Sequence, residues 1–222
     1  SNSPSNPTGR VYDDVVTQAI VSFANRHDLW LISDEVYDEL VLDRAVTHTP
    51  AAWFDTDGRV ISVFSFSKVY AMTGWRVGYA VARGDIPQLM RNTQEPQVSC
   101  PSTISQKAAE AALTGPRQPI TAMRDTYAER ATLAVQVAEV AGIRCYPPQG
   151  TIYMLLDLSD HGSDGGLDFA LELLRERGVS IAPGSVFGPG GKGMVRVSLA
   201  ADADTIKSGI NQIAAHLRQR KG

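Results

Sequence analysis

The fold of this chain is decided by the stretch Ser65-Phe-Ser-Lys-Val-Tyr-Ala-Met-Thr-Gly-Trp-Arg-Val-Gly-Tyr79. It holds Lys68 between hydroxyl residues and Arg76, with glycines that let other backbone approach closely. An apolar run precedes it at residues 60 to 65, and a second run covers residues 77 to 82. Short apolar runs without polar alternation predict strands that are buried on both faces.

Two segments upstream extend this pattern. Leu29-Trp-Leu-Ile-Ser-Asp34 is a third apolar run, and it ends on Asp34. Residues 12 to 27 repeat apolar side chains at helical spacing, with Asp13 and Asp14 where the first turn of a helix favours acids. Buried strands together with amphipathic helices indicate a sheet covered by helices. The predicted class is α/β.

The second half of the chain has a different pattern. One helical pattern runs from about Pro119 to Val140 without an internal glycine or proline. Short strands, including one at Val179 to Ala182, then alternate with helices and indicate a small α+β domain. We predict part of a large domain over residues 1 to 118, followed by a linking helix and a small domain over residues 119 to 222.

Composition argues against several classes of protein. The formal net charge of -3 and the pI of about 5.8 give no basic excess for nucleic acid or anionic lipid. The apolar runs are far shorter than the roughly 20 residues that a membrane span needs. The amino terminus lacks the charged and apolar regions of a leader peptide, so we expect a cytoplasmic protein. The two cysteines and four histidines have no metal-ligand spacing, so we expect no bound metal.

The first residues form a turn-rich segment, Asn2-Ser-Pro-Ser-Asn-Pro-Thr-Gly9. Segments of this kind usually follow a strand, and no strand precedes this one in the sequence. We therefore expect the chain to start in the middle of a fold.

Four segments together resemble the class I and II aminotransferases, a fold-type I pyridoxal-phosphate family. The first is the lysine stretch itself. The others are Asn6-Pro-Thr-Gly9, Asp34-Glu-Val-Tyr37 and Val195-Arg-Val-Ser198. The segments occur in the order of the family and span nearly the whole chain. The resemblance implies the aspartate aminotransferase-like fold, in which a mostly parallel sheet in a large domain is joined to an α+β small domain.

The resemblance also implies roles for the residues around the cofactor, pyridoxal 5'-phosphate. Lys68 would carry the cofactor as a Schiff base and shuttle the proton, since a neutral lysine amine is a nucleophile. Asp34 would keep the pyridine nitrogen protonated, which makes the ring an electron sink. Tyr37 and Asn6 would bind the phenolic oxygen of the cofactor.

Binding of the two anionic groups follows from the same resemblance. Arg76 and Ser65 would hold the cofactor phosphate, because a planar guanidinium suits bidentate capture of an oxyanion. Arg196, in an alternating strand, would bind the substrate α-carboxylate together with Asn6. An arginine in solvent at a strand edge is the alternative for Arg196.

The implied reaction is transamination between an amino acid and a 2-oxo acid, in a homodimer. A lyase with the same fold, or an aminotransferase-like effector domain of a transcriptional regulator, are the alternatives that the motifs leave open. No segment matches the glycine-rich phosphate loop or the aromatic residue that stacks on the cofactor in such enzymes. Activity of this polypeptide alone is therefore doubtful, and the substrate side chain is not predicted.

Overall fold

The computed structural model describes residues 1 to 220, so the last two residues of the predicted small domain lie outside it. The chain forms two compact units. The first consists of Ser1–Pro4 and Val11–Met123, and the second consists of Ser5–Arg10 together with the chain from Arg124 onward. The short segment Ser5–Arg10 thus belongs to the unit formed by the later part of the chain.

The first unit contains one sheet and several helices. Its elements are α1 (Asp14–Arg26), β1 (Leu31–Asp34), β2 (Val60–Ser65), α2 (Phe66–Val69), β3 (Gly78–Val81), α3 (Ile86–Val98) and α4 (Thr103–Thr114), with 3-10 helices at Ala51–Phe54 and Thr73–Trp75. Helix α5 (Gln118–Val140) starts in this unit and continues into the second. In the described part of the chain, no helix is long and apolar enough to cross a membrane.

The sheet of the first unit has the order β1-β2-β3. Strands β1 and β2 are parallel, with Asp34 beside Val63, and β3 returns antiparallel to β2, with Gly78 opposite Ser65. Asn2 adds a parallel bridge to Asp34 on the outer side of β1. The turn-rich start of the chain therefore extends the sheet.

Two apolar clusters support this sheet. Helix α1 is capped at its start by Asp13, whose carboxylate accepts a hydrogen bond from the Val16 amide at 2.8 Å. The first cluster joins α1 to the strands through Val21, Ala24, Leu31, Ala51 and Val60. The second cluster lies under the lysine stretch and contains Phe66, Val77 and Ala109. The first cluster thus packs α1 against β1 and β2, and the second packs α4 against the lysine stretch.

The prediction that the strands are buried on both faces is wrong for the described residues. Ile32 of β1 is 60% exposed and Val81 of β3 is 54% exposed, and every residue of β3 is exposed. Alternate side chains of a strand point to opposite faces, and α1 packs against only one face of β1. No segment among residues 1 to 220 covers the apolar side chains on the other face.

The second unit is an antiparallel sheet packed against helices. Its elements are β4 (Arg144–Tyr146), β5 (Tyr153–Asp157), α6 (Leu167–Arg177), β6 (Ala182–Pro183), β7 (Met194–Ser198) and α7 (Ala203–Arg220), with 3-10 helices at Ser159–His161, Gly184–Phe187 and Pro189–Gly191. The strand order is β4-β5-β7-β6, and each neighbouring pair is antiparallel. Fully buried side chains from β5, β7, α6 and α7 form its core.

One predicted strand of this unit is largely absent. Of Val179 to Ala182, only Ala182 joins the sheet, as part of the two-residue strand β6. Only Ala182 and Pro183 pair with β7, and a proline cannot donate a backbone hydrogen bond to continue the ladder. The apolar pattern of residues 179 to 182 therefore overstated the length of the strand.

Replacing Gly78 by alanine is expected to lower the free energy of unfolding by about 1–3 kcal/mol. A Cβ atom at Gly78 would lie 2.5 Å from the backbone oxygen of Phe64, so the paired strands would have to move apart. Gly74→Ala is the control, because a Cβ atom there meets nothing within 4 Å. Thermal unfolding followed by circular dichroism should show a lower melting temperature for Gly78→Ala only. Equal melting temperatures for the two variants would contradict this packing.

Candidate active site

Three predicted site residues meet at one edge of the first sheet. Asp34 ends β1, Ser65 ends the parallel strand β2, and Arg76 stands two residues before the antiparallel strand β3. The carboxyl ends of parallel strands and the amino end of an antiparallel neighbour lie at the same edge. Ligands of open α/β sheets bind at this kind of edge.

Lys68 is carried to this edge by the short helix α2. The helix is anchored by Phe66 and Val69, which are 2% and 3% exposed, while the Lys68 side chain is partly buried between them. Ser65 caps the helix by accepting a hydrogen bond from the Ser67 amide at 3.1 Å. Within residues 1 to 220 the Lys68 amine has no hydrogen bond and no ion pair. The amine is therefore held near the strand ends without a carboxylate partner.

Arg76 has an uncommon backbone conformation for a residue other than glycine. Its φ of 52° lies in the left-handed region, which costs free energy in the absence of a compensating role. Its guanidinium donates one hydrogen bond to the Thr73 carbonyl at 2.8 Å and is exposed. A guanidinium has five N–H donors, so most of the donors of Arg76 remain after the bond to Thr73. Together with the Ser65 hydroxyl, this arrangement suits an oxyanion such as a phosphate.

The segment after β1 separates Asp34 from its acidic neighbour. Asp34 accepts a hydrogen bond from the Val36 amide at 3.1 Å and is partly buried. Glu35 is 1% exposed, accepts a hydrogen bond from the Ser33 hydroxyl at 2.8 Å and lies 2.7 Å from His48 Nε2. Glu35 thus anchors the turn from inside the unit. Tyr37, two residues on, is 3% exposed.

Asp38, which the sequence did not single out, is an unusual carboxyl next to this turn. Burial raises the pKa of Asp38 from 3.8 to about 6, and the charge of Glu35 raises this pKa as well. His48 and Arg117 lower the pKa by less. The proximity of these charges arises from the fold, so the sequence alone gave no signal for it.

Asn6 and Arg196 are brought together in the second unit. The Asn6 side-chain oxygen accepts a hydrogen bond from Arg196 at 2.8 Å. The loop that carries Asn6 is held by the Gly9 carbonyl, which accepts hydrogen bonds from the amides of Gln149 and Gly150, each at 2.8 Å. Gly9 has a φ of 68°, and a Cβ atom there would lie 2.5 Å from Pro148. This close approach explains why the loop needs glycine at that position.

Two aromatic side chains beside Arg196 were missed in the sequence. The guanidinium carbon lies 3.9 Å from the centre of the Tyr153 ring and 4.8 Å from the centre of the Phe187 ring. Tyr153 comes from β5, and Phe187 ends the 3-10 helix that follows β6. The strand register creates this proximity. A period-two pattern in each strand reports only which face a side chain occupies.

The predicted residues are thus distributed over both units. Lys68, Asp34, Tyr37, Ser65 and Arg76 belong to the first unit, whereas Asn6 and Arg196 belong to the second. Among the described residues, no group of three histidine, cysteine or acidic side chains could hold a metal ion. The first unit thus carries a lysine amine, a carboxylate, a buried phenol, a hydroxyl and a guanidinium, and the second carries an amide and a guanidinium.

Comparison with known proteins identifies relatives over nearly the whole chain. The sequence model of the family described as "Aminotransferase class I and II" matches residues 1–213. An aspartate aminotransferase of Pyrococcus abyssi is 35% identical over 222 residues, which cover 99% of this chain and 57% of that protein.

Solved structures give the same result. An aromatic aminotransferase from Pyrococcus horikoshii OT3 superposes with a TM-score of 0.92 at 35% identity, covering 99% of this chain and 59% of that one. An aminotransferase from Mycobacterium tuberculosis has a TM-score of 0.89 at 35% identity, covering 99% and 57%. The chain therefore spans little more than half the length of these relatives.

We expect Asp38→Asn to stabilise the protein more at pH 8 than at pH 4. The raised pKa means that the folded state keeps a proton that the unfolded state releases between about pH 4 and 6. The free energy of unfolding then falls as the pH rises through this window, and asparagine removes that loss. The amide oxygen of asparagine can still accept the Glu39 amide hydrogen bond, which measures 3.0 Å. Urea unfolding at both pH values measures the effect, and an equal or larger gain at pH 4 would contradict it.

Proposed function

Because the chain belongs to the class I and II aminotransferases, we propose that it acts in pyridoxal-phosphate-dependent transamination between an amino acid and a 2-oxo acid. Its fold is that of aspartate aminotransferase-like enzymes. The observation that carries the proposal is the position of Lys68. A lysine without a carboxylate partner stands at the sheet edge where Asp34, Ser65 and Arg76 also lie.

The residues at this edge fit pyridoxal phosphate by their chemistry. Arg76 and the Ser65 hydroxyl provide donors for a phosphate group, and Arg76 has donors beyond its single bond to Thr73. Asp34 provides a carboxylate for a protonated pyridine nitrogen. Tyr37 provides a phenol for the phenolic oxygen, and the contact of the Asn6 amide with this oxygen stays a prediction. When bound, the cofactor supplies an electron sink that stabilises negative charge at the substrate Cα.

Lys68 has two tasks in this proposal. Its amine would hold the cofactor covalently, and the buried Phe66 and Val69 fix the short helix from which it extends. The Lys68 amine would also take the proton from the substrate Cα as a general base. Among residues 1 to 220, no ion pair or hydrogen bond holds this amine in another position.

Arg196 is assigned to the substrate. Its guanidinium would bind the α-carboxylate through paired hydrogen bonds, and the bond to Asn6 would hold it in place. The alternative of an arginine in solvent is less favoured, since Arg196 is partly buried and has Asn6, Tyr153 and Phe187 around it. Amino acids and 2-oxo acids share this carboxylate, so one group would serve both half-reactions.

The names of the relatives bear on the substrate. Curated relatives include an aspartate aminotransferase and a protein named aromatic-amino-acid aminotransferase 2, so the identity of the side chain is left open in this proposal. The names of these relatives do not favour the lyase or the effector-domain alternative. The homodimer and the cytoplasmic location expected from the sequence stay predictions.

Lys68→Ala is expected to lower transamination by about a hundred- to ten-thousandfold, because general base catalysis contributes on this scale. The complete gene product should be assayed with amino acids and 2-oxoglutarate as acceptor, with visible absorbance reporting cofactor attachment. Lys107→Ala is the matched control, since this lysine of α4 is exposed and pairs with Glu110 at 2.7 Å. The control should retain parental absorbance and turnover.

Two results would overturn the proposal. One is a parental absorbance band that survives in Lys68→Ala. The other is ammonia release without an acceptor, which would indicate elimination in place of transfer.

A further inference from the structure

Arg196 carries a permanent positive charge, and the side chains that contact it are neutral. Asn6 accepts one hydrogen bond from the guanidinium, and the rings of Tyr153 and Phe187 lie against it. Among residues 1 to 220, no carboxylate forms an ion pair with Arg196. A partly buried guanidinium without a carboxylate partner is prepared to bind an anion from solution.

The register of the sheet explains why the rings stand on either side of β7. Arg196 pairs with Leu155 of β5, and Tyr153 pairs with Ser198, so Tyr153 is the diagonal neighbour of Arg196 on one face. On the other side of β7, Arg196 pairs with Ala182 of β6. The 3-10 helix Gly184–Phe187 follows directly and brings the Phe187 ring back to the guanidinium.

An aromatic ring and a hydrogen-bond acceptor use different parts of a guanidinium. Rings stack on its flat face, whereas its N–H groups point outward in its plane. Asn6 accepts at one nitrogen, Nη1, which leaves in-plane donors for a ligand. A planar carboxylate can place both oxygens in that plane. A tetrahedral anion puts at least one oxygen out of the plane, toward a face where a ring lies.

We propose that Tyr153 and Phe187 form an aromatic clamp that positions Arg196 and makes this site select planar carboxylates over tetrahedral anions such as sulfonates and phosphonates. The inference rests on the proposed role of Arg196 as the carboxylate-binding residue. Tyr153 and Phe187 are positioning residues, since they act through the guanidinium. One hydrogen bond to Asn6 leaves the guanidinium free to turn, and the two rings remove that freedom.

The test compares two small anions of similar size, propionate and ethanesulfonate, by ligand-observed NMR on the complete gene product. We expect propionate to bind about tenfold more tightly, the scale expected from stacking and paired hydrogen bonds. Tyr153→Leu and Phe187→Leu should each bring the ratio of the two dissociation constants toward one. Tyr153→Phe keeps the ring and should keep the ratio.

Two controls show whether the measured anion binding occurs at Arg196. Arg196→Ala should lose binding of both anions. Trp53→Leu removes an aromatic side chain that is 82% exposed in the first unit and should leave the ratio unchanged. Circular dichroism checks that each variant is folded. Phe187 is 38% exposed, so Phe187→Leu decides the outcome if Tyr153→Leu unfolds.

The inference is overturned if the parent protein binds both anions equally, or if a folded leucine variant keeps the parental ratio. These titrations need no cofactor and no turnover. If the clamp is refuted but pyridoxal phosphate is found attached to Lys68, only this inference is lost. If the clamp is confirmed but no cofactor attaches to Lys68, the proposed function is refuted and the anion site at Arg196 stands.

Discussion

The parallel pairing of β1 with β2, followed by the antiparallel return of β3, is the constraint on which the candidate active site depends. The backbone ladder sets Asp34 beside Val63 and Ser65 opposite Gly78. It thereby brings a carboxylate, a hydroxyl and an arginine from distant positions in the chain to one sheet edge. The missing side chain of Gly78 allows β3 to approach β2 closely, and α2 then presents Lys68 at that edge on two buried anchors.

The second unit also brings together side chains that are distant in the sequence. Its antiparallel sheet carries Arg196 on a central strand between β5 and β6, where neighbours on both sides reach the guanidinium. Asn6 arrives from the opposite end of the sequence, on a loop fixed by hydrogen bonds to the Gly9 carbonyl. Sequence distance therefore says little about which side chains share an environment here.

Much of this could be predicted from sequence, where the pattern lay in neighbouring residues. The α/β class and the family are confirmed. Burial of the strands on both faces was wrong, because a pattern shows that a face is apolar but not which segment covers it. Tyr153, Phe187 and Asp38 were missed, since their environments come from strand register and burial. The roles of Lys68, Asp34, Tyr37, Ser65, Arg76, Asn6 and Arg196, and the domain boundary, stay predictions.

The central claim is that Lys68 is the lysine that carries the cofactor. Incubating the complete gene product with pyridoxal phosphate, reducing it with borohydride and mapping its peptides by mass spectrometry tests this directly, because reduction makes the lysine linkage permanent. The account predicts a pyridoxyl group on Lys68 at close to one per chain, with little on exposed lysines such as Lys107. A modification spread over exposed lysines, with Lys68 unlabelled, would contradict it.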